Sequence, residues 1–277
     1  LTISCLKKNF FRIICPALAR SHNKSHILKN LTKKVKFEDV TENYSCLGIF
    51  GPNSRKFLTK LFGNYFSKED FPFATGKYLN ISGCKVWFQR LSFIGELGWE
   101  IYIPIKKTNI IFNKIRILGK KFKLNYAGMH ALDILRLEKK FLHWGHDITS
   151  ENNPLEAGLS FAVNFKKNVN FIGRKALEKI KDKPIKRKLE LFSLKKNFKP
   201  GKPLILHDEP IFHKKKIIGY TTSANYSFYY KKNICLAYVD SSMRNDNELY
   251  LEVEGRKYLL KLENLAIHDP HSKLLRS

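Results

Sequence analysis

Acidic residues are scarce in this chain. Against 51 Lys and Arg stand 24 Asp and Glu in 277 residues, a formal net charge of +27. Such an excess first suggests a polyanion: nucleic acid, an anionic membrane or an acidic protein. Arginine is scarce as well. Of the 51 basic residues 40 are Lys and 11 are Arg, whereas bidentate recognition of phosphates and base edges favours Arg. The lysines come in short scattered groups such as Lys33-Lys34, Lys120-Lys121 and Lys214-Lys215-Lys216. The charge therefore reads as a solvated surface, and no nucleic acid is expected as partner. No apolar run approaches the roughly 18 residues of a membrane helix, so no membrane is expected either. No basic segment followed by an apolar run and a small-residue cleavage site is visible. The five cysteines (Cys5, Cys15, Cys46, Cys84, Cys235) are odd in number and show no CxxC spacing. That argues for a reducing compartment and against a disulfide framework or a zinc site. The close histidine pairs His22/His26 and His143/His146 have no further ligands at metal spacing, so no metal is expected.

What is present is ample for a core. Hydrophobic residues make up 43 % and aromatics 13 %, which rules out wholesale disorder, and the length suggests two or three domains. Leu1–Leu6 reads as a strand, with Phe10–Cys15 its hairpin partner across Lys7-Lys8-Asn9. A chain that starts at Leu1, inside a strand, looks like a fragment. A helix is expected over His22–Thr32, a strand at Cys46–Gly51, and an amphipathic helix opened by Gly51-Pro52-Asn53-Ser54 with Ser54 as its cap. Strands follow around Leu79–Ile81, Lys85–Phe93 and Trp99–Ile103, then helices over 108–118 and 126–141. The second of these places Asp133 three residues before Arg136. From about Ile185 short β-like runs (Leu189–Leu194, Pro203–Leu206, Ile217–Thr221, Ile234–Val239, Glu248–Val253, Lys257–Leu262) alternate with Gly, Pro, Asp and Asn, the spacing of a small β-barrel or sandwich. Lys181-Asp182-Lys183-Pro184 marks the expected boundary, giving domains 1–183 and 184–277.

The most readable local geometry is Arg90 to Pro104. Gly95 and Gly98 flank Glu96-Leu97, a two-residue turn that would set Ile94 opposite Trp99 and Phe93 opposite Glu100. Side chains so paired have Cβ atoms roughly 4.5–5.5 Å apart. An aromatic face beside a carboxylate can hold a flat heterocycle by stacking while the oxygens accept N–H bonds. A hairpin whose Glu100 faces solvent or an arginine satisfies the same pattern.

Leu91–Pro104, Leu135-Arg136-Leu137-Glu138, His143–Thr149, Pro154–Leu159 and Phe171–Leu177, in that order, resemble the aminomethyltransferase (glycine-cleavage T-protein) family. Gly219-Tyr220-Thr221-Thr222-Ser223 and Ala237-Tyr238-Val239 are similar to its C-terminal barrel. The GELGWE and WGHD variants look most like the folate-binding half of dimethylglycine and sarcosine dehydrogenases. The resemblance implies an α+β fold, a cloverleaf of small domains around a central channel that binds tetrahydrofolate, ending in an all-β barrel.

It also implies that Glu100 binds the 2-amino and N3–H edge of the pterin. Phe93 would stack where the dehydrogenase branch usually has Tyr, and Thr2 would match a folate-contacting Thr, although β propensity explains Thr2 equally well. Arg136 and Glu138 are expected to be structural ion-pair partners. Trp144 is expected at a structural turn or lining the channel, and Gly173-Arg174 in an ordered connection to the barrel. Leu132 stands where the T-protein proper has Arg, which favours the dehydrogenase branch.

The family's catalytic Asp would fall just before Leu1, so no catalytic residue is assigned here. The intact protein is expected to continue upstream into an FAD-binding domain, and the fragment alone is expected to be inactive. The implied partners are a folate and an N-methylated glycine derivative. The implied location is cytoplasmic in a bacterium or the mitochondrial matrix in a eukaryote. A non-catalytic regulatory member of the fold, or a glycine-cleavage T-protein, are the alternatives.

Overall fold

The computed structural model describes residues 1–277. The chain forms two compact units, one made of residues 1–92, 96–126 and 274–277, the other of 93–95 and 127–273.

The first unit opens with the antiparallel hairpin β1 (Thr2–Lys7) and β2 (Phe10–Ile14), followed by helix α1 (Arg20–Asn30). Its main sheet has four antiparallel strands, β3 (Tyr44–Phe50), β4 (Gly76–Ile81), β5 (Cys84–Gln89) and β6 (Gly98–Pro104), in the order β3-β6-β5-β4. Period-two alternation sorts β6 cleanly. Trp99, Ile101 and Ile103 are fully buried on one face, where α2 (Ser54–Phe62) and α3 (Thr108–Gly119) contribute Phe57, Leu58, Ile111 and Ile115. Glu100 and Tyr102 stand on the other face. Phe66 and Phe71 meet the Trp99 ring edge-on at 5.5 and 5.9 Å, the favoured aromatic geometry.

Two local expectations are corrected here. Ser54 does not cap α2: it is the first helical residue, and its hydroxyl donates to the Leu97 carbonyl at 3.1 Å. The two-residue turn at Glu96-Leu97 does not form. β5 ends at Gln89, and Gln89, not Phe93, pairs with Glu100. The strand cannot continue because Arg90 turns inward. Its guanidinium donates to the Phe71 carbonyl at 2.7 Å and lies 5.7 Å from the Trp99 ring. The Leu97 carbonyl is then claimed by Gly51 N–H at 2.8 Å, which commits β6 to β3. Gly98 permits that approach, since a Cβ there would sit 2.6 Å from the Ile49 carbonyl oxygen.

In the second unit α4 (Met129–Glu138) and α5 (Arg174–Glu178) precede six strands: β7 (Arg187–Leu194), β8 (Pro210–His213), β9 (Lys216–Ser227), β10 (Lys232–Asp240), β11 (Leu249–Val253) and β12 (Arg256–Glu263). They close into a barrel in the order β10-β7-β12-β11-β8-β9. β10 is apolar almost throughout because both its faces are covered. Cys235, Ala237 and Val239 fill one core, and Ile234, Leu236 and Tyr238 pack with Leu137 of α4 in another. Pro203–Leu206, expected as a strand, is irregular, and Pro210–His213 takes the place in the barrel.

Candidate functional site

The face of the first unit's sheet opposite its core carries the sequence-singled carboxylate. Glu100 is half-buried, flanked across the strands by Gly48 on β3 and Gln89 on β5. Tyr102, two residues on and therefore on the same face, donates its hydroxyl to Glu100 Oε2 at 2.6 Å. Burial raises the Glu100 pKa above its ordinary value, and the Tyr102 hydrogen bond opposes that shift. Gly48 is exposed, and the space a side chain there would take is occupied by the Phe50 ring.

Gln89 is 2 % exposed. Its Oε1 accepts from the Ser4 hydroxyl at 2.8 Å and from Trp87 Nε1 at 3.3 Å. The indole N–H only donates, so the amide orientation is fixed and Nε2 is left with no acceptor. Ser4 and Thr2 alternate with the exposed Ile3 and Cys5 on β1. The bond from Ser4 to Gln89 therefore turns the Thr2 side of the hairpin toward the Glu100 face of the sheet. Arg12, paired with Ser4 in the hairpin, donates to Tyr78 Oη at 2.6 Å and lies 5.2 Å from the Trp87 ring, pinning the same contact from β2. The sequence singled out Thr2 and Glu100 here and missed Gln89. The signal was a glutamine closing the apolar strand Val86-Trp87-Phe88.

Phe93 belongs to the second unit, where its ring stacks on Phe141 with centroids 6.3 Å apart and meets His143 edge-on at 6.2 Å. The cross-strand pairing of Phe93 with Glu100 is thus replaced by an aromatic cluster at the end of α4. Burial, with His146 and Arg136 nearby, lowers the His143 pKa and keeps the ring neutral near pH 7. Beside it a cavity of about 470 Å³ is lined by Leu132, Asp133, Arg136, His143, His146 and Asn233, among others.

Arg136 forms the ion pairs expected of a structural residue. It donates to Asp133 and to the fully buried Asp147, to Ser223 Oγ at 2.7 Å and to the Phe141 carbonyl at 3.1 Å. Glu138 accepts from Ser227 Oγ at 2.6 Å. Trp144 is 42 % exposed, so the turn it occupies is not built on a buried indole. Arg174 gathers the carbonyls of Phe165, Lys167 and Val169 and pairs with Glu178, ordering the segment before the barrel.

Comparison with known proteins agrees with this architecture. Residues 1–167 match the family model described as the GCVT N-terminal domain, and residues 187–267 the glycine cleavage T-protein C-terminal barrel domain. The chain belongs to the glycine cleavage T-protein family. Among its relatives is human mitochondrial dimethylglycine dehydrogenase, 32 % identical over 98 % of this chain and 31 % of that protein. Human mitochondrial sarcosine dehydrogenase is 34 % identical over 79 % of this chain and 24 % of that protein. The chain thus spans about a third or less of the length of these relatives. The crystal structure of the glycine cleavage aminomethyltransferase T from Bartonella henselae shares the fold. It matches with a TM-score of 0.71 and 22 % identity, over 82 % of this chain and 60 % of that one.

Proposed function

We propose that this chain is the tetrahydrofolate-binding, one-carbon-transfer part of a flavin-dependent dehydrogenase acting on an N-methylated glycine, dimethylglycine or sarcosine. The observation that carries the reading is Glu100, a half-buried carboxylate whose Oε2 is held by Tyr102 on the sheet face opposite the core. In the bound complex Glu100 accepts from the 2-amino and N3–H groups of the pterin, and Thr2 contributes from the hairpin face it shares with Ser4.

Tetrahydrofolate held by Glu100 would supply two nitrogens for the carbon of an iminium made by an FAD domain of the same polypeptide: one would bond the carbon, and the other would close onto it as the bond to the amino-acid nitrogen breaks and the demethylated amine leaves, giving 5,10-methylenetetrahydrofolate. The chain's own share is to bind, orient and keep out water, since an iminium needs little further activation. Domains of 1–183 and 184–277 divide the folate-binding region from the barrel in this reading. By the same likeness the protein works in the mitochondrial matrix if its source is a eukaryote and in the cytoplasm if it is a bacterium.

Calorimetric titration of the 277-residue chain with 5-formyltetrahydrofolate, a stable reduced folate, tests the reading. Binding is expected, with Glu100→Gln weakening it by about tenfold or more, because a charge-assisted bond becomes a neutral one with a mismatched donor. No binding by the wild-type chain overturns the proposal, and equal binding by the variant removes Glu100 from it.

A further inference from the structure

The Glu100 face sets a half-buried carboxylate beside an unmet donor on the neighbouring strand. Tyr102 donates to Oε2 of Glu100, and Nε2 of Gln89 has no acceptor at all. The two residues are a direct cross-strand pair, so their Cβ atoms are about 4.5–5.5 Å apart. A buried amide donor left unpaired is costly, and native proteins leave few of them. Rotation of the amide offers no escape. Turning it over would set Nε2 against Trp87 Nε1, donor against donor, where the indole now donates to Oε1. The Gln89 amide is therefore held in place by Trp87 and Ser4, with Nε2 buried and unpaired beside Glu100.

We infer that Gln89 Nε2 is a specificity-determining donor that reads the 4-oxo group of the pterin whose neighbouring N–H groups are bound by Glu100. The inference rests on the folate reading above. A 4-oxopterin presents, in a row, the 2-amino donor, the N3–H donor and the O4 acceptor. A carboxylate answers the first two and an amide N–H answers the third, which is the order that one glutamate and one glutamine on adjacent strands supply. A 4-aminopteridine has a donor where O4 was and no proton on N3 in its neutral form, so it meets the Gln89 N–H donor to donor.

Folic acid and aminopterin, which differ at the pteridine ring only in oxo against amino at C4, are the matched probes. With the 277-residue chain, competition against 5-formyltetrahydrofolate should show wild type preferring folic acid to aminopterin by about tenfold or more, the worth of one hydrogen bond kept and one clash avoided. Gln89→Glu keeps an oxygen for Ser4 and Trp87 but replaces the donor by an acceptor, so the preference should fall by about tenfold or reverse. Gln89→Met removes both roles and should lower the ratio to the part that Glu100 contributes at N3. Reading a ratio cancels losses in folding that affect both ligands alike. Unchanged preference in both variants, with Glu100→Gln still weakening folic acid, overturns the role of Gln89 and leaves the folate reading standing. Failure of the wild-type chain to bind either probe overturns both.

Discussion

Two buried polar clusters, one in each unit, are completed to different degrees. Around Arg136 in the second unit, the guanidinium nitrogens all donate, and Asp147 accepts from Arg136, from the His143 N–H at 2.8 Å and from Thr222 Oγ1 at 2.6 Å. Around Glu100 in the first unit, the amide nitrogen of its cross-strand neighbour Gln89 is left with no acceptor. Low local dielectric strengthens a satisfied cluster and penalises an unsatisfied one. A closed network of that kind is scaffold; an open one kept in a buried strand is a place where something else completes the set. Both clusters lie in family motifs, so the motif alone does not tell them apart. The hydrogen-bond accounting does.

The sharpest way to break this contrast is to open the closed network. Asp147→Ala leaves Arg136 buried with only the partly exposed Asp133 as counter-charge and takes the acceptor from Thr222 and His143 N–H. Removing one partner of a buried pair typically costs about 3–5 kcal/mol, so urea denaturation should show a loss of that size. A loss below about 1 kcal/mol would mean the cluster is dispensable for the scaffold. A smaller but still large effect is expected at Gly219, where a Cβ would stand 2.1 Å from the Tyr238 carbonyl oxygen across the β9–β10 ladder. Gly219→Ala should cost about 1–3 kcal/mol through overpacking, as measured by the same denaturation midpoint, and an unchanged midpoint would show that the barrel yields there.

Legibility followed the range of the forces involved. The barrel strands, the β1–β2 hairpin and the amphipathic α2 and α3 were readable because alternation and helical spacing are properties of neighbouring residues. β8 was missed because four residues, Pro210–His213, carry too short a pattern to stand out beside Pro203–Leu206. The register at Glu100 was misread for a tertiary reason. Two glycines two residues apart look like a hairpin, but Arg90 is drawn to the Phe71 carbonyl and Gly51 N–H takes the Leu97 carbonyl, and neither attraction is visible locally. Glu100 itself was found by resemblance, whereas Gln89 becomes informative only once its partners Ser4 and Trp87 are known, 85 and 2 residues away.

The smallest expected effect is a pH dependence that separates stability from binding at one residue. Burial holds the Glu100 pKa above the ordinary glutamate value, against the opposing bond from Tyr102. The folded chain therefore keeps that proton more tightly than the unfolded chain does. The Glu100 contribution to stability is then fully present below the unfolded value and is lost as pH rises through the folded one. At neutral pH the ionised carboxylate works against the fold, so Glu100→Gln should be slightly more stable than wild type at pH 7 and indistinguishable from it near pH 4. Binding runs the other way. Accepting from a pterin needs the carboxylate, so folate affinity should fall on acidification, starting above the ordinary glutamate range, and the Glu100→Gln variant should lack that fall. Calorimetry in buffers of differing ionisation enthalpy adds an independent readout, because a ligand that selects the ionised form must release a proton on binding at pH values near the folded pKa. Proton uptake there, or an affinity flat down to pH 4.5, would mean that the ligand does not meet the carboxylate of Glu100.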